Sequence, residues 1–518
     1  MNSRAQNFYA AWRESRRALI ALHDEASPPP EKLLQAIWQH QRLRRDRLQT
    51  SDDQPVRIYH PGFASAEGGP DFRGAVIQIG DRQAVSGDVE IDLHCGGWRA
   101  HGHNRNPNFK NVILHVVWDD AGVHASACSP DVPPGKQKLE LQRPPAVLRL
   151  KDFLDAPLPD LARALENETG LPENLRGKCS APLRDLDAVQ LGEILEAAAL
   201  VRLENKARAM LARARTSGWD QALWEQLFRA LGFKNNVWPM QNLAENRNRW
   251  MQNGDSAFTL QTRLLGISGL LPDELTRSQK CSDTFLRRAW DVWWRERDSL
   301  QDCMLPRVAW KFHGLRPANH PQRRLALASH WLAAGNLVEK IEEWIATQPP
   351  VGRAALLRRK ADRQVNPAAD ARKSHALVES LHQIFQVDRD EYWSWHWTFK
   401  SARLAKPQPL LGEARVTDLA VNVVLPWLWI RAKEGGNKRI QDELEGRFLA
   451  WPTAEDNSIL KLARQRLLGT ANSGVIKSAA QQQGLMQIVR DFCEHTNAIC
   501  ADCRFPELVR GRSAQPVR

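Results

Sequence analysis

The chain has 518 residues, of which 42% are hydrophobic, so it can form buried cores and is not wholly disordered. No apolar run approaches the roughly 20 residues that span a bilayer, and the charged N-terminus lacks the apolar segment of a secretory signal. The formal net charge of +12 favours an anionic partner. The excess of arginine suits phosphate recognition, although GC-rich codon usage produces the same excess. We therefore expect a cytoplasmic protein that binds nucleic acid and does not associate with a membrane.

The chain begins with a predicted helical segment, residues 1–50, which is followed by a mixed unit, residues 51–135. In the first segment, apolar residues recur at helical spacing after three prolines at positions 28–30. In the mixed unit, short apolar runs bounded by turn residues predict strands. The predicted strands cover residues 56–59, 76–79, 85–94 and 112–118.

Helical periodicity dominates the rest of the chain. A proline-rich connection, residues 136–180, leads to a helical domain, residues 181–508, and a loose basic tail, residues 509–518. Within the helical domain, Asp187 precedes an apolar stripe typical of a capped helix. Another helix is predicted over residues 322–345. The predicted fold class is therefore α+β, with a small mixed α/β domain followed by a large all-helical region.

The third predicted strand carries a row of acidic side chains. Successive side chains of a strand point to opposite faces, so its apolar residues share one face and its polar residues the other. The polar residues are Asp88, Glu90, Asp92 and His94. Like charges in one row repel one another unless a cation lies over them, and a divalent metal ion supplies that charge. The alternative is the solvated face of an antiparallel strand.

Further candidate ligands lie on both sides of this strand. Asp71 follows a proline upstream, and three histidines, at positions 101, 103 and 115, follow downstream. Taken singly, each fits a turn residue, a loop residue or a core histidine. Together they predict a site for Mg²⁺ or Mn²⁺. The candidate metal ligands are Asp71, Glu90, His94, His101 and His103, and the candidate catalytic residues are Asp71, Glu90, Asp92 and His94.

The order of these elements resembles that of the PD-(D/E)XK nucleases, which have a restriction-endonuclease-like fold. That layout is a helix, a strand, Pro-Asp, a strand, a strand with Glu-x-Lys, a helix and a strand. Pro70-Asp71 matches the first motif and Glu90 matches the acid of the second, so the resemblance implies that Asp71 and Glu90 hold Mg²⁺. Asp92 stands at the lysine position, which leaves the lysine role to His94 or to a residue from elsewhere, or implies an altered site. Glu31 is a candidate for the helical acid of these nucleases.

Nearly the whole chain also resembles a bacterial family known as domain of unknown function 2851. The resemblance rests on short stretches spread along the sequence. They are Gly87-Asp88-Val89-Glu90-Ile91, Trp98 with His101-Gly102-His103, Asn111 through Val117, Leu231-Gly232-Phe233, Arg316-Pro317-Ala318-Asn319, Asn422 through Pro426, Gln483-Gly484-Leu485 and the terminal cysteines. This resemblance implies a family but no activity.

Three cysteines near the end of the chain, Cys493, Cys500 and Cys503, have the spacing C-x6-C-x2-C. Three thiolates lack one ligand of a tetrahedral Zn²⁺ site, and His495 or the distant Cys179 is a candidate fourth ligand. Some PD-(D/E)XK nucleases combine one upstream cysteine with a late trio, which favours Cys179. An iron–sulfur cluster and three unligated thiols are the alternatives.

Arginines in the helical region, Arg316, Arg323 and Arg324, are the candidate nucleic-acid ligands, although charge runs also form solvated helix faces. The leading hypothesis is a metal-dependent phosphodiester hydrolase, similar to a nuclease, that acts on DNA or RNA. A non-catalytic nucleic-acid-binding or scaffold protein derived from a nuclease fold is the first alternative. A metal hydrolase of another substrate is the second.

Overall fold

The computed structural model describes most of the chain. These are residues 7–17, 29–65, 69–119, 145–158, 161, 180–233, 235–272, 274–275, 284–312, 315–347, 367–456, 458–468, 476–492 and 504–513. They belong to two compact units. The first, here called the sheet unit, comprises residues 20–170 and 308–310, and the second, the helical unit, comprises residues 1–19, 171–307 and 311–518.

The first two helices belong to different units. Helix α1 (Phe8–Arg17) packs in the helical unit, where Tyr9 is fully buried. Helix α2 (Glu31–Gln39) packs in the sheet unit, where Trp38 is fully buried. The predicted N-terminal helical segment is therefore divided between two cores, because each amphipathic helix buries its own apolar face against a different partner.

The sheet unit is built on a six-stranded mixed sheet in the order β1–β3–β4–β5–β6, with β2 paired to β3. Its strands are β1 (Val56–His60), β2 (Phe63–Ala64), β3 (Phe72–Ile79), β4 (Val85–Asp92), β5 (Val112–Val117) and β6 (Ala146–Arg149). Strand β3 is antiparallel to β1, β2 and β4, whereas β4, β5 and β6 are parallel. Between β4 and β5 lie the short helix α3 (Gly97–Ala100) and two 3₁₀ turns, His103–Arg105 and Pro107–Phe109. Two further 3₁₀ turns are Arg45–Arg47 and Leu150–Phe153.

One face of the sheet carries the apolar core of this unit. Val89, Ile91, Leu114 and Val116 are fully buried and pack with Trp38 of α2. These residues alternate along β4 and β5, as the period of a strand requires. The same alternation leaves Glu90 and Asp92 of β4 on the opposite side.

The helical unit contains the remaining described helices. They are α4 (Ser180–Arg184), α5 (Ala188–Ser217), α6 (Trp219–Leu231), α7 (Val237–Glu245), α8 (Arg247–Trp250), α9 (Ala257–Ile267), α10 (Thr284–Glu296), α11 (Pro321–Ala334), α12 (Leu337–Thr347), α13 (Pro367–Phe385), α14 (Glu413–Leu419), α15 (Leu425–Glu434), α16 (Lys438–Ala450), α17 (Ser458–Leu467), α18 (Ala479–Phe492) and α19 (Phe505–Ser513). A π-helical turn, Ala420–Val424, joins α14 to α15, and 3₁₀ turns cover Gln301–Cys303 and Pro317–Asn319. A further 3₁₀ turn, Arg307–Ala309, falls mostly in the residues of the sheet unit. Among the described residues, none of these helices combines the length and the apolar content that crossing a membrane requires.

The long helix α5 is the centre of the helical unit, and it begins as predicted. The Asp187 side chain accepts hydrogen bonds from the backbone of Val189 and Gln190, and the Gln190 side chain completes the capping box. Helix α18 crosses α5 at very short range: a Cβ atom at Gly484 would lie only 1.9 Å from the Leu195 carbonyl oxygen. Glycine therefore allows the two helix backbones to touch.

Several predicted boundaries are corrected. The single helix predicted over residues 322–345 is two helices, α11 and α12, because Gly335 adopts a left-handed conformation that ends the first. The predicted connection contains β6, whose Leu148 is fully buried in the sheet core. The predicted loose tail overlaps α19, in which Val509 is fully buried. In the last two cases a tertiary contact stabilises a segment that looks irregular in isolation.

Candidate metal centre

The sheet topology places Asp71 beside Glu90. Asp71 immediately precedes β3, Glu90 lies near the end of β4, and the two strands are antiparallel with Phe72 opposite Val89. The Asp71 amide donates a hydrogen bond of 3.1 Å to Glu90 Oε2, and the Ile91 amide donates one of 3.0 Å to Asp71 Oδ2. These backbone bonds hold two carboxylates together at one edge of the sheet.

Asp92 extends the group toward the histidines. Its Oδ2 lies 2.8 Å from His115 Nε2, and its Oδ1 lies 3.2 Å from His101 Nδ1. Asp92 and His115 are buried, whereas His101 is exposed. The carboxylate also lies against Gly97, where a Cβ atom would fall 2.7 Å from Asp92 Cγ. Gly97 therefore forms a cradle that only a residue without a side chain can provide.

His103 completes the group, and its imidazole has no hydrogen-bond partner among the described residues. Both ring nitrogens are buried, and Nε2 lies 3.3 Å from Glu90 Oε1 without hydrogen-bond geometry. The ring packs between aromatic neighbours, with its centroid 4.0 Å from that of Phe109 and 5.5 Å from that of Trp98. An orphaned polar atom in a buried setting costs free energy, and a metal ion would satisfy it.

Helix α2 contributes an amide and a further carboxylate. Gln35 Nε2 donates hydrogen bonds to Asp71 Oδ1 at 2.9 Å and to Glu31 Oε1 at 3.2 Å. Glu31, the candidate for the helical acid, is thus joined to Asp71 through one amide group. Four carboxylates lie at this edge of the sheet, those of Glu31, Asp71, Glu90 and Asp92. Gln35 is uncharged, so it offsets none of their negative charge.

Burial and mutual repulsion raise the pKa values of Glu31, Asp71 and Glu90. Burial, with the nearby acids Glu31 and Asp92, raises the pKa of Asp71 to about 7 despite the hydrogen bond from Ile91. Burial and the neighbouring Asp71 carboxylate raise the pKa of Glu90 to about 8. Burial also lowers the pKa of His103, which favours the neutral imidazole that binds metals.

The donor set fits a divalent metal ion. One ligand atom each from Asp92, His101 and His103 lie within 4.8 Å of one another, and Glu90 adjoins His103. Carboxylate oxygens suit Mg²⁺ and Mn²⁺, and imidazole nitrogens shift the preference toward Mn²⁺ or a later transition metal. The Gly97 cradle and the orphaned His103 ring support the same fit.

His94 is a predicted ligand and catalytic residue that the structure does not bring to this group. Strand β4 ends at Asp92, so the alternation of faces does not extend to His94. Its side chain is exposed, and Nδ1 lies 3.2 Å from the Asp119 carbonyl oxygen. Asp88 also stands apart from the cluster, because its Oδ1 accepts a hydrogen bond of 3.0 Å from the Gly74 amide.

Two of the predicted nucleic-acid ligands are structural. Arg323 and Arg324 are buried, and their guanidinium groups donate to backbone carbonyls at residues 408–410 and 318. Such groups are not available to phosphates, so this assignment is corrected. Arg316 is exposed and pairs with Glu455 at 3.4 Å. The predicted terminal site, Cys493, Cys500, Cys503 and Cys179, lies outside the described residues.

Sequence reasoning did not select Gln35 or Gly97, counted His115 among the potential ligands without committing to it, and gave Trp98 no role in the site. A Gly96-Gly97 pair a few residues after a strand is typical of a close backbone approach, which was the available signal for Gly97. Gln35 carries no such signal, because a glutamine on a helix is ordinarily solvated.

The protein has an α+β fold. Its candidate functional site is the group of carboxylate and imidazole side chains at the edge of the sheet, which is a candidate metal centre. The family model described as "Protein of unknown function (DUF2851)" matches residues 31–458. The chain therefore belongs to this family, as the sequence stretches predicted. No curated protein and no solved structure matches the chain.

Proposed function

We propose that the sheet unit is a divalent-metal-dependent phosphodiester hydrolase of the nuclease type. The observation that carries the proposal is the pairing of Asp71 and Glu90 across β3 and β4, at hydrogen-bond distances of about 3 Å. The order α2, β1, Pro70-Asp71, β3, β4 with Glu90, α3 and β5 agrees with the layout that the PD-(D/E)XK resemblance implies.

The residues of the cluster divide into ligands and supports. Glu90, Asp92, His101 and His103 would hold the ion. Asp71 donates its backbone amide to Glu90, and its carboxylate, which the Ile91 amide and Gln35 position, would act beside the ion. When bound, a divalent ion lowers the pKa of a coordinated water and offsets charge on the phosphoryl oxygens.

His115 orients Asp92 from the buried side, as supporting residues of metal sites commonly do. His101 is the exposed member of the group, with 58% of its side chain accessible, so a substrate reaches the cluster from that side.

Asp92 favours a second candidate function. It stands where the resemblance implies a lysine, and its two oxygens face His115 and His101. This position therefore does not supply the cation that the resemblance implies, which favours a metal-binding protein of nuclease-like fold without cleavage activity.

Calorimetric titration of metal-stripped full-length protein with Mn²⁺ tests the metal site. Glu90→Gln should weaken binding by at least about tenfold, because it removes a charged ligand while keeping the shape. Asp88→Asn is the matched control, since Asp88 lies on the same strand outside the cluster. Equal Mn²⁺ affinity in wild type and Glu90→Gln would reject the site.

A cleavage assay then separates the two candidates. The nuclease-type hydrolase should cut DNA or RNA with Mg²⁺ or Mn²⁺, stop in EDTA, and lose activity in Asp71→Ala and Glu90→Gln but not in Asp88→Asn. Metal binding without cleavage of single-stranded or double-stranded DNA or RNA supports the non-catalytic candidate.

A further inference from the structure

A long irregular segment of the helical unit, residues 386–412, joins α13 to α14 and contains no helix or strand along its described length. Irregular connections longer than about 12–15 residues are uncommon in compact domains and are usually functional or disordered. This segment is fixed to the fold. The buried Asp390 carboxylate accepts hydrogen bonds from the backbone amides of Tyr392 and Trp393 and from the Gln261 side chain, and Trp393 is fully buried. Its exposed side chains therefore start from a defined backbone.

Trp395, a partly exposed residue of this segment, lies against two exposed arginines. The Cζ atom of Arg403 lies 4.4 Å from the centroid of the Trp395 ring, and that of Arg389 lies 4.9 Å from it. The Leu404 amide donates a hydrogen bond of 2.8 Å to the Trp395 carbonyl oxygen, which ties the backbone next to Arg403 to that of Trp395. One aromatic ring thus holds two guanidinium groups near each other.

The positive charge of this segment is accessible and largely uncompensated. In the described part of the chain, neither guanidinium group on Trp395 forms an ion pair or a hydrogen bond, and the same holds for the exposed ammonium groups of Lys400 and Lys406. The acidic residues of the segment lie at its start. Asp390 is buried, Glu391 pairs with an arginine of α10 at 3.1 Å, and Asp388 is exposed. Residues 392–412 contain no acidic residue.

The neighbouring Trp397 provides a contrast, because its arginine has a role in packing. The Arg323 Cζ atom lies 4.5 Å from the Trp397 ring, but Arg323 is fully buried and donates to backbone carbonyls. The arginines on Trp395 are exposed and donate to no group in the described residues. Packing accounts for the first pair of residues, whereas the second group presents its donors to solvent.

We propose that Arg389, Trp395 and Arg403, together with Lys400 and Lys406, form a binding surface for single-stranded nucleic acid. A guanidinium group offers a planar set of donors to phosphate and a face on which a base stacks. Proteins that bind single strands combine cations along the backbone with aromatic groups that stack on bases. A duplex hides the faces of its bases, so this combination favours a single strand. The surface lies in the helical unit and requires neither the metal ion nor cleavage.

Fluorescence anisotropy of full-length protein in EDTA, with labelled oligo(dU) and oligo(U) of about 16 nucleotides, tests this surface. The wild type should bind with an affinity that falls as salt rises. The double variant Arg389→Gln/Arg403→Gln should bind at least about tenfold more weakly. Its slope of log affinity against log salt should be smaller by about 1.4, because each phosphate contact on a single strand contributes about 0.7.

Variants of the aromatic ring test stacking. Trp395→Leu should weaken binding by at least about fivefold, whereas Trp395→Phe keeps an aromatic face and should retain most of the affinity. Arg208→Gln is the matched control, since it removes an exposed arginine, paired with Glu204, elsewhere in the helical unit. Circular dichroism checks that each variant is folded. Glu90→Gln should bind as the wild type does, which keeps this result distinct from a failure of the metal site.

Several results would overturn the proposal. They are the absence of binding, equal affinity in the wild type and the double arginine variant, and a duplex bound as tightly as the single strand. Binding to vesicles of anionic phospholipid that the double variant loses, without binding of either oligonucleotide, would assign the surface to a membrane instead. Where the proposal holds, tighter binding of oligo(U) than of oligo(dU) identifies RNA as the partner, since the two differ in the 2′-hydroxyl group, and the reverse identifies DNA.

Discussion

The sheet edge and the α5–α18 crossing both hold like charges close together, negative charges at the sheet edge and positive charges at the helix crossing. At the sheet edge, backbone amides and Gln35 hold carboxylates together, with two groups, Asp71 and Glu90, at the centre. At the helix crossing, the amide side chains of Asn422 and Gln483 hold Lys206 beside an arginine. In both places neutral hydrogen-bonding groups fix like charges that would otherwise separate.

Such an arrangement has a cost in stability. Like charges at short range repel by several kcal/mol at the effective dielectric of a protein surface, on the order of 4 kcal/mol at about 4 Å. An apolar cluster of the same size would stabilise the fold more. At the sheet edge, the metal ion proposed above would offset this repulsion, and the following experiments test both regions.

The largest effect is expected at Gly484, which allows α18 to cross α5 closely. Gly484→Ala places a Cβ atom 1.9 Å from a backbone oxygen of Leu195, which no side-chain rotation relieves. We expect a loss of about 3 kcal/mol or more in the free energy of unfolding, measured in urea. Gly192→Ala is the control, because the nearest atom there is the end of the Gln481 side chain at 3.4 Å. Equal stability of Gly484→Ala and wild type would contradict the close crossing.

The pH dependence of stability should differ in sign between the two sites. The pKa values of Asp71 and Glu90 are raised in the folded state, so their contribution to stability is present at low pH. This contribution is lost as pH rises from about 4 to about 8. The loss amounts to roughly 2 kcal/mol in the free energy of unfolding, after allowance for partial solvent exposure. The unfolding free energy of metal-free protein should therefore fall over this range. The double variant Asp71→Asn/Glu90→Gln should flatten the slope, and an unchanged slope would contradict the burial of these acids.

Lys206 should act in the opposite direction. Its folded-state pKa lies below the unfolded value, so its contribution is present above the unfolded pKa and is lost as pH falls through the folded pKa. Stability should rise with pH on the alkaline side, and Lys206→Met should remove that rise.

A smaller effect is expected from filling the Gly97 cradle. A Cβ atom at Gly97 displaces the Asp92 carboxylate from His115 and His101, so Gly97→Ala should weaken Mn²⁺ binding by about tenfold, or about 1.4 kcal/mol. Gly96→Ala is the control, because no atom lies within 4 Å of a Cβ atom there. The two variants should differ in calorimetric titration, and equal affinities would show that Asp92 is not a ligand.

The smallest effect is expected at Arg208, two residues beyond Lys206. Arg208 and Glu204 form an ion pair of 2.8 Å on the surface of α5. Arg208→Ala should lower the unfolding free energy by about 0.3–0.5 kcal/mol, and high salt should remove the difference. A loss as large as that in Gly484→Ala would show that the exposed charges of α5 contribute as much to the free energy of unfolding as its buried residues do.

The sequence by itself determined the elements whose periodicity is local. The alternation of Val89 and Ile91 predicts a strand face, and Asp187 predicts the start of α5, because side chains a few residues apart report burial and capping directly. The candidate pair Asp71 and Glu90 also followed from local motifs, since the antiparallel pairing of neighbouring strands brings them together.

Only the tertiary structure decided which polar residues meet and which are buried. In the folded protein, His94 lies outside the cluster, the His103 ring has no hydrogen bond among the described residues, and Arg323 is buried. The tertiary structure also joined Lys206 to Asn422 and Gln483, which are 216 and 277 residues away along the chain. Local periodicity carries no information on such contacts, because they depend on how whole helices and strands pack against one another.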